Sequence, residues 1–509
     1  MPVSVSVFAP IFMKSPPPTM FPATVEFTLL PSFYQTGWQA LEAGRKEAPF
    51  AYVVPATQRD PSAARQMIDV LRENGLQSYV ASEDFTVDGR TFTRGSTVFP
   101  ALQPYRAFLI EMMERQRYPE VRQGPDTKEI FKPYDVTAWT LPLMMGVDWV
   151  RVDHAFDVGH DATEGRGRSP NVDPNVDHVL PATANASYRI ANRLLAKGVA
   201  VRRVIGSGPL VDGRRAPGVG PGDFIVPASA TKLLVAVPDS LRIPFDAVPL
   251  VELTTAPVKA PRVGLYKPWA ASMDEGWTRF ILDQYEFKYA TLDNSGMKNK
   301  NLRSRFDVII LPDIDKNVII DGKEKRDDGS YFEPLPPAYA GGIGKEGVAN
   351  LKAFVEQGGT LVCMTASCDV ALEDFGLPVR NSAAKLKASE FSLPGTLVNL
   401  EIDPTQPLAW GMPEACAAYV TGGPVFATSI PGANVERDVV ARYPRYPDQV
   451  VASGWADGVE NMTGRAAIVV AHLKKGKVVL LGPKVQQRAQ TVGTYKFLFN
   501  AILQAGLEK

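Results

Sequence analysis

The chain has 509 residues, 45% of them hydrophobic and 22% charged, the make-up of a folded protein long enough for more than one core. Lys plus Arg equals Asp plus Glu at 55 each, so no excess of positive charge points to nucleic acid or an anionic membrane surface. Three cysteines exclude a disulfide framework, and no run approaches the about 18 apolar residues that a membrane-spanning helix needs.

Residues 1–31 include "SPPP" and lack the basic and apolar regions of a signal peptide. They read as poorly structured and carry no export signal. A helix is expected over Ser32–Glu47 and a strand over "FAYVVP". In "DPSAARQMIDVLRENG", Asp60 is placed to cap a helix, Pro61 to open it and Gly75 to stop it.

An internal repeat follows. Ala64–Ala101 and Ser187–Ala228 each give an apolar helix, a glycine stop (Gly75, Gly198), a strand and a Val-Asp-Gly-Arg turn (Val87–Arg90, Val211–Arg214). Each then closes with a strand ending in Pro-Ala. Asp-Gly suits a tight turn because glycine tolerates positive φ. The repeat predicts two similar small α/β units, over 32–134 and 135–250, either adjacent subdomains or two halves of one. The second carries a long Gly-, Pro-, Asn- and Asp-rich loop over 157–185, and residues 251–261 read as a linker.

From Arg262 the pattern changes. "RVGLYK", "FDVIILPD", "AAIVVAHL" and "KVVLLG" are near-continuous apolar strands alternating with amphipathic helices. One helix has Ser272 as its cap and Glu275 completing a capping box. Residues 262–509 are therefore expected to form one α/β domain, a doubly wound, flavodoxin-like and mainly parallel sheet covered on both faces.

Within it, "TLVCMTASCDVALEDFG" runs from a strand into a helix, the setting of a nucleophile elbow. Such elbows bracket their nucleophile with small residues. Neither Cys363 nor Cys368 has glycines around it. A thiolate also needs a base, and the domain's one histidine, His472, lies inside a strand with no orienting acid beside it in sequence. Cys363 reads as a buried small hydrophobe and Ser367 as a helix cap. Cys368, Ser367 and His472 remain the weak catalytic candidates. For metals, "DHAFDVGHD" gathers His154, Asp157 and His160 in a polar loop, the weak candidate for a divalent cation; no His-x-x-Glu clip occurs.

Ligands of doubly wound sheets sit beyond the carboxyl ends of the strands. Three segments reach that edge, offering Tyr266, Lys267, Trp269, Asp313, Lys484, Gln487, Arg488 and Gln490 as a polar crevice. The first strand is followed by no phosphate-binding glycine fingerprint, so no nucleotide cofactor is expected.

Several stretches together resemble a known family. "APFAYVVPATQRDP", "YDVTAWTLPLMMGV", "GLYKPWAASMDEGWTRFIL", "GKEGVANLKAFVEQGGTLV", "PLAWGMPE" and "GPKVQQRAQTVGTYKFLFNAIL" are similar to the long C-terminal portion of large bacterial M14-type zinc carboxypeptidases. The resemblance spans about Ser32–Lys509. It implies a final domain like class I glutamine amidotransferases in fold, and usual export. In that family the catalytic domain comes first and holds zinc through His-x-x-Glu and a distant histidine. None of that motif is present here, so no cofactor is expected in this chain. The implied role is an accessory, binding portion without its own catalytic centre, with a peptidase catalytic domain, a peptide or a glycan as partner. The alternative is an amide hydrolase using a nucleophile near Cys368.

Overall fold

One plan is used twice in the first half of the chain. The computed structural model describes residues 23–119, 121–122, 124, 130–133, 135–161, 173–206, 219–236, 246–247, 253–323, 336, 339–432 and 435–507. Helix α1 (Ala23–Lys46) leads into β1 (Ala51–Val54), α2 (Pro61–Glu73), β2 (Tyr79–Ala81), the hairpin β3 (Phe85–Val87) and β4 (Arg90–Phe92), and β5 (Thr97–Pro100). Then come α3 (Arg106–Met113), α4 (Leu141–Met145), β6 (Val150–Val152) and β7 (His160–Asp161). The sheet is antiparallel with the order β6-β1-β5-β2-β7. Next, β8 (His178–Leu180), α5 (Asn185–Ala196), β9 (Arg202–Val204), β10 (Phe224–Val226), α6 (Thr231–Val235), β11 (Asp246–Ala247) and β12 (Thr255–Pro257) give a second antiparallel sheet. Its order, β11-β8-β10-β9-β12, matches the first position for position.

The local signals act as their chemistry dictates. Asp60 accepts the Ser62 and Ala63 amides at the start of α2, and Pro61 occupies the first turn. Asp88 and Gly89 take φ of 50° and 70°, as a two-residue hairpin turn demands. Three expected boundaries move. Helix α1 begins at Ala23, inside the stretch read as poorly structured. Strands β6 and β7 lie within 135–250 yet complete the first sheet. Strand β12 lies in the expected linker yet pairs with β9. Edge strands are recruited by long-range pairing, which local pattern does not announce. Residues 1–22, part of the 157–185 loop and the second Val-Asp-Gly-Arg turn lie outside the described residues.

The last unit opens with β13 (Val263–Tyr266), α7 (Met273–Gln284), β14 (Tyr289–Leu292), α8 (Asn294–Met297), α9 (Leu302–Arg305) and β15 (Val308–Leu311). It continues through α10 (Lys316–Asp321), α11 (Gly344–Glu356), β16 (Thr360–Met364) and α12 (Cys368–Asp374). Strands β17 (Val379–Asn381), β18 (Thr396–Ile402), β19 (Ala415–Val420), β20 (Phe426–Thr428), β21 (Val435–Arg442), β22 (Val451–Ser453), β23 (Ala466–Leu473) and β24 (Gly476–Leu481) precede the closing helix α13 (Tyr495–Leu503). They build a 12-stranded sheet whose main path is β14-β13-β15-β16-β24-β23-β21-β18-β19.

Strands β14 through β24 on this path run parallel. Beyond β24 every pairing is antiparallel. The sheet is therefore mixed rather than mainly parallel. The apolar run "AAIVVAHL" belongs to an antiparallel strand that is nonetheless covered on both sides, which is why it read like a parallel one. Val263, Leu265, Val308 and Ile310 pack into a core with Ile281, Leu282 and Phe499. Their alternates Tyr266, Ile309 and Leu311 pack into another with Ile319, Leu351 and Phe354. The first core also takes in Tyr52, Met67, Tyr188 and Phe224, so the three units share one interior. No helix among the described residues is long and apolar enough to cross a membrane.

Candidate functional site

The turn after β16 has the shape of an elbow, but its strained residue is a threonine. Thr365 takes φ +48°, a region that a β-branched side chain rarely enters. It is buried, and its hydroxyl has no hydrogen-bond partner among the described residues. The next amide, of Ala366, donates to Asp313 Oδ1 at 3.0 Å. Asp313 in turn pairs with Lys484 at 2.7 Å. The amide that follows an elbow residue is the donor an oxyanion would use; here a carboxylate of the protein holds it.

The candidate nucleophiles lie around this turn but face inward. Cys363 and Cys368 have no solvent exposure. Burial pushes both thiols up from their ordinary range, away from the reactive thiolate. The Cys368 thiol donates to the Cys363 carbonyl at 3.3 Å. Ser367 does not cap α12 through its side chain. Its hydroxyl accepts the Met364 amide at 2.8 Å and lies 3.0 Å from the Leu311 carbonyl oxygen, to which it donates.

His472 does have an orienting acid, contrary to the sequence reading: its Nε2 lies 2.8 Å from Asp438 on the neighbouring strand. Cross-strand partners are invisible in local sequence. But His472 is level with Lys477 and, through it, with Thr360. That is the opposite end of β16 from the elbow, so the imidazole and the thiols do not meet.

In the histidine loop, His154 Nδ1 lies 2.5 Å from Asp88 and is well exposed. Asp157 is exposed, and the side chain of His160 lies outside the described residues. Among the described residues no three His, Cys, Asp or Glu side chains gather to hold a metal.

A cleft of about 240 Å³ opens beyond the strand ends. Lys484, Gln487 and Arg488 line it, as the sequence proposed, together with Asp135, Met273, Asp274, Trp277, Gly395, Tyr419 and Thr421, which it did not single out. Asp313 lies beneath, reached through Lys484. Tyr266 is a core residue instead: it is fully buried and its hydroxyl donates to Asn294 Oδ1 at 2.7 Å. Lys267 is exposed, as is Trp269, which meets Tyr339 edge-on at 5.3 Å. Neither residue lines the cleft, and neither does Gln490. Of the missed residues, Asp274 was visible in the first turn of a capped helix. Asp135 and Tyr419 arrive from distant segments and gave no signal.

The cleft's charges are arranged unevenly. Lys484 stands 3.3 Å from Asp274 and 2.7 Å from Asp313. Burial alone would lower its ammonium, but the two carboxylates outweigh this and hold it above the ordinary lysine range. Burial pushes the Asp274 carboxyl up, with Lys484 opposing. Burial also raises the Tyr419 phenol to about 12.

No family model matches the chain, and no curated protein matches it. It is similar to several solved structures at low identity. A cytoplasmic protein from Salmonella typhimurium has 14% identity, with 49% of this chain and 100% of that chain covered and a TM-score of 0.30. A ThuA-like protein from Bacteroides uniformis has 13% identity, coverages of 48% and 90% and a TM-score of 0.27. A β-galactosidase from Bacillus circulans has 11% identity, coverages of 55% and 34% and a TM-score of 0.27.

Proposed function

We propose that this chain is a binding portion of an M14-type carboxypeptidase system, without a catalytic centre of its own. Its last unit is read as a flavodoxin-like, class I glutamine amidotransferase-like domain. In chain order the five parallel strands sit 2-1-3-4-5, the doubly wound order whose ligand site lies outside the strands' carboxyl ends. The cleft takes a small ligand there, and zinc belongs to a separate catalytic domain.

The observation that carries the non-catalytic reading is the placement of the thiols. Both are sealed in the core, with the one histidine of residues 262–509, His472, aligned to the far end of the strand. The alternative, an amide hydrolase acting through Cys368 or Ser367, needs a nucleophile that substrate and base can reach. Purified protein incubated with glutamine, γ-glutamyl amides and C-terminally free peptides, with and without added zinc, is expected to turn over none of them. Iodoacetamide should leave Cys363 and Cys368 unlabelled in native protein and label both in urea, read by mass spectrometry. Turnover that disappears in Cys368→Ser would sink the proposal in favour of the hydrolase.

A further inference from the structure

One wall of the cleft concentrates strain and unsatisfied polarity. Arg488 and Ala489 take φ of +45° and +58°, two successive non-glycine residues in left-handed backbone. Such strain persists only where the surroundings over-determine it, and it clusters at ligand sites. Gln487 lines the cleft at 6% exposure, and its Oε1 has no hydrogen-bond partner among the described residues. The adjacent Gln486 Oε1 is likewise buried without a partner among them. Native proteins rarely leave such atoms unsatisfied, so each one calls for an explanation.

The two cations of the cleft are in different states. Lys484 is held by two carboxylates. The Arg488 guanidinium forms no hydrogen bond or ion pair among the described residues. A guanidinium presents a planar fork that matches a carboxylate in two parallel hydrogen bonds. Beside it in sequence, Gln487 Oε1 is an acceptor that no donor among the described residues reaches. Asp274 and Asp135 also line the cleft, and the charge of Arg488 acts on Asp274; Trp277, Tyr419 and Met273 add apolar surface. At about 240 Å³ the cleft falls below the roughly 300–1,000 Å³ of sites for drug-sized ligands. The space suits one residue or a chain end.

We infer that the cleft binds a free α-carboxylate with an N–H donor beside it, either a free amino acid or the C-terminal end of a short peptide. This rests on the reading of the cleft as a binding site without turnover. Arg488 holds the carboxylate, Gln487 the N–H, and the apolar surface takes the side chain.

Calorimetric titration tests it with four probes: N-acetylglycylphenylalanine, its C-terminal amide, phenylalanine and glucuronic acid. A free-carboxylate probe is expected to bind, and the amide at least about tenfold more weakly, the loss of one charge-assisted hydrogen bond. Whether phenylalanine or the acetylated dipeptide binds tighter tells the free amino acid from the chain end. Arg488→Met should lose at least about tenfold in affinity. Arg488→Gly suits the backbone at that position and should show the same loss with a higher melting temperature, separating lost binding from lost folding. Ala489→Gly should melt higher with affinity unchanged. Equal binding of acid and amide, full affinity in both Arg488 variants, no binding of either phenylalanine probe, or glucuronic acid binding as tightly would each overturn the inference. Mass spectrometry of the recovered probes reads turnover separately. Cleavage would defeat the non-catalytic reading while leaving the carboxylate discrimination to be judged by affinity.

Discussion

Asp307 precedes β15 and gathers two arginines. Its Oδ1 accepts from Arg262 at 2.8 Å and from Arg303 at 2.7 Å, and its Oδ2 from the Arg262 backbone amide at 2.9 Å. Burial works to raise this carboxyl, but the hydrogen bonds of Arg262 and Arg303 outweigh it and hold it at about 2. A carboxyl lowered in the folded state adds stability that is present above its unfolded value near 4 and is lost as pH falls through about 2. The shift corresponds to on the order of 2 kcal/mol. Between pH 5 and pH 2, Asp307→Asn should therefore lose about that much less stability than the parent protein, compared by urea unfolding at each pH. An equal loss in both proteins would refute this. Thr365 belongs to the same scale: its strain depends on φ, which no residue type announces, so the sequence shows the elbow's setting but not its strained residue, which lies between the two cysteines.

Gly395 shows how an element fixes the cleft. It sits at φ +70° just before β18, and an added Cβ would lie 2.3 Å from the Tyr419 hydroxyl and 3.0 Å from the Val136 backbone. Its carbonyl accepts the Thr137 and Ala138 amides, docking a segment from before α4 against the last unit. Gly376, at φ +73°, has open space around it. Gly376→Ala therefore meets backbone strain alone, about 1 kcal/mol. Gly395→Ala meets strain and collision together and should cost about 1–3 kcal/mol more. Thermal melts of the two variants decide it, and equal losses would show that the loop yields freely. Much at this scale was legible. The Asp60 and Ser272 caps and the Asp88-Gly89 turn follow from local chemistry, and Lys484, Gln487 and Arg488 follow from the rule that strand ends carry sites. What local sequence could not give was anything set by register or distant pairing. Tyr266 turns inward as the alternate of Leu265, β7 and β12 are recruited as edges, and Asp438 meets His472 across two strands.

At the scale of the whole molecule one carboxylate ties three units together. Asp60 caps α2 in the first unit through Ser62 and Ala63, accepts the Asn185 amide at 2.8 Å at the start of α5, and pairs with Lys496 of α13 at 3.3 Å. Both ion-pair partners are 5% exposed, and burial pushes the Lys496 ammonium down from its ordinary range. Removing one partner of a buried pair typically costs about 3–5 kcal/mol, because the other charge is left alone. The two removals are not equivalent here. Lys496→Met leaves Asp60 with three backbone amides. Asp60→Ala leaves a buried ammonium without its counter-ion, uncaps α2, worth about 1 kcal/mol more, and orphans the Asn185 amide. Asp60→Ala should thus be the more destabilising, and the double variant Asp60→Ala, Lys496→Met should recover part of the loss by removing the stranded charge. Because the core runs through all three units, each variant should unfold in urea as a single transition by fluorescence and by circular dichroism. Equal losses in the two single variants, or a separate early transition that leaves the last unit folded, would show that Asp60 does not join the units.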